Sequence, residues 1–169
     1  MNHKWNYQPI TPEQAETSQT LAQELGISPI LGQLLVQRGI TKAADAKKFF
    51  RPQLPDLHDP FLMKDMEKAV ERVERAVANQ EKIMVYGDYD VDGCTAVALV
   101  YKFLRQIGHK NLMFYIPDRY TEGYGISIKG IDLAARKGVG LIIALDCGIK
   151  ATEKVVYAKT KGVDFIICD

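Results

Sequence analysis

Apolar residues in the first half of the chain recur three and four positions apart, which is the spacing of amphipathic helices. Capping signals bound these patterns: serine or threonine followed by proline marks two starts, and glycine marks two stops. Four helices are predicted, which lie between Thr11 and Gly26, between Ser28 and Gly39, from Thr41 to Phe50, and from Asp65 onward. The segment RPQLPDLHDPF holds three prolines and is predicted to be the loop before the fourth helix.

After residue 80 the pattern changes to short apolar runs that alternate with helical spacing. β-Strands are predicted for four runs, which are KIMVYGD, LMFYIP, LIIALD and VDFIICD. The helices between them are predicted over Thr95–Ile107, Ser127–Lys137 and Thr152–Lys161. Runs that are almost wholly apolar are typical of parallel strands covered on both faces. The sequence therefore predicts an α/β fold, a parallel sheet flanked by helices over 65–169, preceded by a helical extension and loop over 1–64.

Composition and charge set boundaries but indicate no function. Of the 169 residues, 47% are hydrophobic and 25% are charged, which matches globular proteins and excludes a disordered chain. The net charge of +1 gives no electrostatic reason to expect nucleic acid, a membrane or an acidic partner. No signal peptide or membrane span is expected. The cysteines Cys94, Cys147 and Cys168 lack C-x-x-C spacing, which suits a reducing cytoplasm without disulfides.

Aspartates follow three of the four predicted strands, namely Asp88, Asp146 and Asp169. The segment after the first strand, GDYDVDG, adds Asp90 and Asp92. Open parallel sheets bind ligands beyond the carboxyl ends of their strands, so neighbouring strands would bring these acids to one edge. Unpaired carboxylates gathered there repel one another and raise their own pKa values, which calls for a divalent cation. Hard oxygen ligands favour Mg²⁺ or Mn²⁺.

Other functions of an acidic loop fit less well. A single aspartate after a strand is most often a turn former or a helix cap, so the combination of acids carries the metal hypothesis. An EF-hand calcium loop needs glutamate at its twelfth position, which counted from Asp88 is Leu99, and it lies between two helices. A D-x-D glycosyltransferase would use the first acidic loop but leaves Asp146 and Asp169 unassigned.

Four segments then occur in a fixed order, VYGDYDVDG, IPDRYTEGYG, IIALDCGI and FIICD. They resemble the successive motifs of the DHH phosphoesterase superfamily and, within it, of the RecJ-type exonucleases that degrade single-stranded DNA from the 5′ end. The resemblance implies Mn²⁺ or Mg²⁺ as cofactor, with two ions in the complete enzyme, and hydrolysis by metal-activated water. The implied metal ligands are Asp88, Asp90, Asp92 and Asp146. The resemblance leaves open which of Asp88, Asp90 and Asp92 bind a metal ion directly. It implies that Asp146 is a catalytic residue that bridges the two ions.

Two features depart from the superfamily pattern. Many members place histidine two residues before the first aspartate, where this chain has Tyr86, so a smaller or rearranged set of metal ligands is expected. The Asp-His-His motif begins at Asp169, where the sequence ends, so the chain is expected to be the front part of a nuclease. Asp169 is then a supporting residue that orients a following histidine. A catalytically inert metal-binding or folding fragment stays open as an alternative.

The function that the resemblance implies is exonucleolytic hydrolysis of single-stranded DNA in repair and recombination, with protein partners left open. The alternative within the superfamily is hydrolysis of oligonucleotides, cyclic dinucleotides or pyrophosphate, and the segment RYTEGYG favours the exonuclease branch. In that segment Arg119 can grip a phosphate, and Tyr120 or Tyr124 can stack on an unpaired base. A glycine turn whose tyrosines cover the sheet edge is the structural alternative.

Overall fold

A computed structural model describes residues 4, 6 and 8–169 of the chain. Its internal contacts divide the chain into two compact units, Met1–Pro60 and Phe61–Asp169. The boundary between these units follows Pro60. The division into a helical extension and loop over 1–64 and a partial DHH phosphoesterase domain over 65–169 stays a prediction. In the described part of the chain, none of the helices combines the length and the apolar character that a membrane span requires. The absence of a signal peptide concerns residues that lie partly outside the described ones.

The described residues of the first unit form three helices, α1 (Pro12–Leu25), α2 (Pro29–Gln37) and α3 (Ala43–Phe50). Helix α1 starts with a capping box, since Thr11 Oγ1 accepts a hydrogen bond from the Gln14 N–H and the Gln14 side chain accepts one from the Thr11 N–H. Gly26, with φ 63°, ends the helix in the left-handed conformation. The core of this unit consists of Leu21, Leu35, Val36 and Ala46. The proline-rich segment after α3 forms two short 3₁₀ turns, Leu54–Asp56 and Pro60–Leu62, where the sequence predicts an irregular loop.

The second unit is a four-stranded parallel sheet with helices between the strands, as predicted. Its elements are α4 (Met66–Ala78), β1 (Lys82–Gly87), α5 (Val91–Gln106), β2 (Leu112–Tyr115), α6 (Ile128–Arg136), β3 (Val139–Leu145), α7 (Thr152–Thr160) and β4 (Asp164–Cys168). The strand order is β2-β1-β3-β4, and every neighbouring pair is parallel. The predicted α/β class is therefore confirmed.

Alternating side chains of the strands fill two cores, one on each face of the sheet. On one face Ile83 and Val85 of β1 pack with Ala76 of α4 and with Val97 and Leu104 of α5. On the other face the next residues of the same strand pack with α6 and α7, in a core that includes Met84, Tyr86, Ile131, Ala134 and Ala158. Both faces of β1 are thus buried, which explains why its sequence is a nearly continuous apolar run.

Helix α5 begins at Val91, four positions before the predicted start at Thr95. The reason is local: Asp90 is the N-cap, and its Oδ1 accepts a hydrogen bond of 2.9 Å from the Gly93 N–H. Asp92 consequently lies in the first turn of the helix and not in a loop. The acidic segment therefore combines a strand end, a cap and a helical turn.

Candidate active site

The register of the sheet aligns the three aspartates that follow strands. Gly87 at the end of β1 pairs with Leu145 of β3, and Leu145 pairs with Cys168 of β4. The residue after each of these is an aspartate, and the three form one row at the carboxyl edge: Asp88, Asp146 and Asp169. A shared site requires that the strands be neighbours, and β1, β3 and β4 are adjacent in the sheet.

The same edge is the point where the strand order reverses. From β1 the chain crosses through α5 to β2 on one side, and from β2 it returns through α6 to β3 on the other side of β1. Because α5 and α6 pack on opposite faces, a crevice opens between the carboxyl ends of β1 and β3. Asp88 and Asp146 stand on its two sides.

Asp88 is the most buried of the acids, with 1% of its surface exposed. Neither oxygen of its carboxylate has a hydrogen-bond partner among the residues that the structure describes. A buried, unpaired carboxylate is costly in a folded protein unless it is protonated or binds a cation. Asp88 is therefore the residue whose surroundings most directly call for a positive ligand.

Two glycines bring the first turn of α5 against the end of β1 and so fix Asp88. A Cβ on Gly93 would lie 2.5 Å from the Asp88 backbone nitrogen and 2.6 Å from its carbonyl oxygen. A Cβ on Gly87 would lie 2.4 Å from a methyl carbon of Val97 and 2.8 Å from the Gly93 carbonyl oxygen. No side chain fits in either place, so the short connection over residues 88–90 is positioned by backbone packing.

Asp90 and Asp92 add two carboxylates at the start of α5. One oxygen of Asp90 caps the helix, and both residues are exposed to solvent. The effect of their charge reaches Asp146 across the crevice, as the pKa of that residue shows. Burial raises the pKa of the Asp146 carboxyl, and nearby negative charges raise it further, in the order Asp90, Asp92, Asp169 and Asp88. The five aspartates therefore share one electrostatic site.

Asp146 itself adopts a left-handed backbone conformation, with φ 56°. Its N–H donates a hydrogen bond of 2.8 Å to the Cys168 carbonyl, which continues the ladder between β3 and β4 by one residue. The neighbouring Cys147 is fully buried, and burial together with the charges of the aspartates raises the pKa of its thiol to about 12. That cysteine stays a neutral thiol beside the site and offers no thiolate to a metal.

A second chain segment, residues 116–127 between β2 and α6, approaches the acids from the side. It contains Glu122, whose side chain is 5% exposed. Oε2 of Glu122 accepts hydrogen bonds from the Tyr115 hydroxyl at 2.7 Å and the Ser127 hydroxyl at 2.6 Å, and Oε1 accepts one from the Asp118 N–H at 3.1 Å. Burial acts to raise the pKa of Glu122, but these donors together with Lys129 hold it below its ordinary value.

The same segment contains Arg119 and Tyr124, whose part in binding substrate stays a prediction. The Arg119 guanidinium lies 5.3 Å from the centre of the Tyr89 ring, and the Tyr89 and Tyr124 rings meet edge to face with centroids 6.5 Å apart. The Tyr124 hydroxyl donates a hydrogen bond of 3.4 Å to the Asp146 carbonyl. Tyr120, the other tyrosine considered for stacking, is 93% exposed.

Sequence reasoning missed Glu122 and Tyr89. Both contact residues that are distant in sequence or separated by turns, so no local spacing marked them. For Tyr89 a signal did exist, because an aromatic residue between two acids at a ligand-binding edge suggests a contact with substrate.

A family model described as "DHH family, N-terminal domain" matches residues 82–169, which hold the whole sheet and the acidic row. The chain belongs to the DHH family. It is 39% identical over 166 residues to the single-stranded-DNA-specific exonuclease RecJ of Bacillus subtilis, covering 98% of this chain and 21% of that protein. It is 31% identical over 162 residues to the enzyme of the same name from Escherichia coli, covering 96% of this chain and 27% of that protein.

Two solved structures of this family share the architecture. An exonuclease RecJ bound to manganese matches with a TM-score of 0.58 and 30% identity, over 63% of this chain and 27% of the other. RecJ from Thermus thermophilus in complex with Mn²⁺ matches with a TM-score of 0.66 over 90% of this chain and 20% of the other, and at 22% identity it shows the shared fold. The chain spans about a fifth to a quarter of the length of the curated relatives described above.

The DHH chain departs from its superfamily at Tyr86, and the structure shows what this residue does. Tyr86 is fully buried and stacks on Tyr115 with ring centroids 5.3 Å apart. Its hydroxyl donates to the Gly125 carbonyl at 2.9 Å and accepts from the Ser127 N–H at 3.0 Å. Burial raises the pKa of Tyr86 to about 12. The side chain therefore ties β1 to the segment before α6 and is not available to a metal.

Asp169, which the resemblance makes the first residue of the Asp-His-His motif, has a backbone partner. Its Oδ2 accepts a hydrogen bond of 2.9 Å from the Ile149 N–H, which fixes the connection between β3 and α7. Its predicted part in orienting a histidine stays a prediction.

The donor set in the DHH site fits a hard divalent cation in its chemistry. Carboxylate oxygens are the ligands that Mg²⁺ and Mn²⁺ prefer, and the buried, unpaired carboxylate of Asp88 calls for a positive charge. Their arrangement is open: in the part of the chain that the structure describes, no three histidine, cysteine, aspartate or glutamate side chains are placed so that they could hold a metal ion. The acids thus supply charge and donors at one edge without forming a closed coordination shell.

Proposed function

We propose that this chain supplies the metal-binding part of an exonuclease that hydrolyses single-stranded DNA from the 5′ end. The observation that carries the proposal is the row of aspartates across three adjacent strands, with the buried and unpaired carboxylate of Asp88 at one end and Asp146 in the middle. Support comes from the two relatives that are named single-stranded-DNA-specific exonucleases and are 31% and 39% identical to this chain. We place the activity in DNA repair and recombination, in the cytoplasm that the cysteine usage suggests.

The residues that would hold divalent cations, Mn²⁺ or Mg²⁺, are Asp88, Asp90, Asp92 and Asp146. Two bound cations would lower the pKa of a water molecule and stabilise the charge that develops on the phosphate. Asp88 is fixed by backbone packing, whereas Asp90 offers the oxygen that does not cap α5. Asp146 enters from the next strand and is the natural ligand to be shared between two ions. The manganese in two related structures supports this choice of cation.

The residues that would bind the DNA strand lie beside the acids. The Arg119 guanidinium offers a fork of donors for a phosphate, and its stacking on Tyr89 orients it before substrate arrives. Tyr124 is 65% exposed and anchored through its hydroxyl at Asp146, so its ring is free to stack on an unpaired base. A positive and aromatic rim around a negative centre is suited to a single strand, whose bases are exposed and whose phosphates must reach the metal.

The test compares the chain with Asp146→Asn, using Asp45→Asn as matched control because Asp45 is an exposed aspartate in the other unit. Mn²⁺ affinity is measured by titration calorimetry, and digestion of 5′-labelled and 3′-labelled single strands is followed on gels. Digestion is measured with the chain itself and with a chimera in which it replaces the matching segment of the Bacillus subtilis relative. We expect Asp146→Asn to abolish digestion and to lower Mn²⁺ affinity, with the fold kept and the control unchanged.

Three outcomes would contradict the proposal. Full digestion by the Asp146→Asn chimera would remove Asp146 from the metal ligands. Hydrolysis of cyclic dinucleotides or pyrophosphate without digestion of single strands would move the activity to another branch of the superfamily. If the unmodified chain does not bind Mn²⁺ and the chimera does not digest DNA, the chain is a catalytically inert fragment. If an Arg119→Ala variant keeps its stability and its affinity for single-stranded DNA, Arg119 does not belong to the DNA-binding residues.

A further inference from the structure

The carboxylate of Glu122 connects three parts of the second unit. Through Tyr115 it contacts the end of β2, through the Asp118 N–H it contacts the start of the segment before α6, and through Ser127 it contacts the N-cap of α6. Ser127 Oγ also accepts a hydrogen bond of 2.9 Å from the Gly130 N–H, so the same hydroxyl caps the helix and donates to Glu122. Both ends of the segment are therefore tied to one side chain.

The network matches a carboxylate better than any neutral group. Three donors and the Lys129 ammonium, 3.5 Å from Oε1, converge on a side chain that is almost fully buried. A buried carboxylate with this many donors keeps its charge, and hydrogen bonds to a charged acceptor are stronger than neutral ones. A glutamine whose carbonyl accepts from the Asp118 N–H would turn its NH₂ group toward the Tyr115 and Ser127 hydroxyls. Both hydroxyls would then have to change from donor to acceptor, and the charge that Lys129 faces would be lost.

Between the two tied ends lie the side chains that face the acids. Arg119 and Tyr124 both contact the ring of Tyr89, and the Tyr124 hydroxyl also donates to the Asp146 carbonyl. Both residues belong to the part of the segment that leaves the sheet and returns. Gly123 and Gly125 have φ values of 76° and 80°, so the chain turns around them in a conformation that other residues adopt only with strain. Residues 118–121 and Tyr124 are exposed, while Ile126 after the turn is buried in the core, so the outer part of the turn depends on its polar contacts.

We infer that Glu122 is a positioning residue, which holds the segment over residues 118–125 so that Arg119 and Tyr124 face the aspartates. It does not contact the substrate or the metal ligands itself. This inference rests on the proposed function, because it concerns how that site presents its DNA-binding side chains.

The first measurement is amide hydrogen exchange in the 169-residue chain, for Glu122→Gln and for Glu67→Gln, an exposed glutamate on α4, as matched control. We expect exchange over residues 118–125 to become roughly tenfold to a hundredfold faster in Glu122→Gln, because a charge-assisted network is lost, with β1 and β3 unchanged. Tyr115→Phe keeps the ring and removes one donor, so a smaller increase at the same residues is expected. It replaces Glu122→Gln if that variant does not fold.

The second measurement is a double-mutant cycle on the affinity for a fluorescent single strand. Glu122→Gln should weaken binding about as much as the combined Arg119→Ala and Tyr124→Ala variant, and adding it to that variant should change affinity by less than about twofold. Mn²⁺ affinity should stay within about twofold of the unmodified chain. If Glu122 had only a general structural role, its loss of DNA affinity would multiply with the losses caused by the Arg119 and Tyr124 substitutions. Mn²⁺ affinity would then fall as well.

The outcomes separate the inference from the proposed function. If the unmodified chain binds neither Mn²⁺ nor single strands, the proposed function fails, while the exchange data still decide whether Glu122 holds the segment. If the unmodified chain binds both, and Glu122→Gln changes neither exchange over 118–125 nor affinity, the inference alone is overturned. Effects that multiply in the cycle would also overturn it.

Discussion

Two connections meet at the acidic edge of the sheet, and they are held in place in different ways. Residues 88–90, between β1 and α5, are short and are positioned by backbone contacts at Gly87 and Gly93. Residues 116–127, between β2 and α6, are long and converge on the charged side chain of Glu122. The first connection carries the buried carboxylate, and the second carries the residues that would bind DNA.

The difference has a physical reason. Metal ligands must be placed within narrow limits, and backbone packing is the stiffest way to place them. A surface that binds flexible single-stranded DNA tolerates some movement of its side chains. A segment held by hydrogen bonds to one carboxylate can move to that extent. The short connection should therefore respond to changes of volume, and the long one to changes of charge.

The largest expected effect follows from removing the charge of the short connection. In Asp88→Asn, Mn²⁺ affinity should fall by more than about a hundredfold, since even residues that only support metal ligands change affinity by about ten- to a hundredfold. The metal-free variant should unfold at the same or a higher temperature, because an unpaired buried charge is removed. Calorimetric titration and thermal unfolding measure both quantities. Unchanged Mn²⁺ affinity would show that Asp88 is not a ligand.

A change of volume in the same connection should be the next largest effect. In Gly93→Ala the new methyl group meets backbone atoms of Asp88 at 2.5 and 2.6 Å, which cannot move aside, so we expect a loss of about 1–3 kcal/mol in the free energy of unfolding. Thr95→Ala, exposed on the same helix, is the control and should change it by less than about 0.5 kcal/mol. Urea denaturation measures both. A Gly93→Ala variant as stable as the control would contradict the role of backbone packing.

In the long connection, the loss of one aromatic ring should affect DNA binding without affecting stability. Tyr124→Ala should weaken single-strand binding by about 1 kcal/mol, the lower end of the range for base stacking. Tyr124→Phe should keep most of the affinity, since the ring is retained. Tyr120→Ala is the comparison variant, because Tyr120 is the other tyrosine of the segment considered for stacking, whereas it is the Tyr124 ring that contacts Tyr89 and Asp146 at the acidic edge. Equal losses for the two alanine variants, measured by fluorescence anisotropy, would contradict the selective role of Tyr124.

The smallest expected effect is a loosening of the long connection in acid. The pKa of Glu122 is lower in the folded chain than its ordinary value of 4.5, so its network contributes stability above about pH 4.5 and loses that contribution as the pH falls through the folded pKa. Amide exchange over residues 118–125, corrected for intrinsic pH dependence, should rise below pH 4.5 before β1 exchanges. The Glu122→Gln variant should lack this step, and a step of equal size in that variant would assign it to another group.

Features that are fixed by nearby residues were predictable from the sequence. The start of α1 at Pro12 and its end at Gly26 follow from a capping box and a left-handed glycine, both readable within a few positions. The row of aspartates followed from apolar runs that end in acid, on the condition that the strands are neighbours. The predicted start of α5 was four residues too late, because the helix-cap role that an aspartate after a strand can have was not applied to Asp90.

Features that depend on contacts between distant residues were not predictable. Tyr86 looked like a departure at a metal-binding position, yet its hydroxyl is used by Gly125 and Ser127, about forty positions away. The contacts of Tyr89 with Arg119 and Tyr124 likewise join residues that are far apart in the chain. The partners of Glu122 lie within the same segment, but at irregular spacings that match no helix or strand pattern. The sequence identified the acids by type and order, but their supporting residues became visible only in three dimensions.

The backbone of Asp146 limits which amino acids this position can accept. Its φ of 56° lies in a region where most side chains cost about 1–2 kcal/mol and only glycine, asparagine and aspartate are common. Glycine removes the carboxylate, and asparagine removes its charge. Of the twenty residues, aspartate alone satisfies both the fold of the strand end and the attraction for a cation, so natural variants at this position should be rare even where the rest of the sheet tolerates exchange.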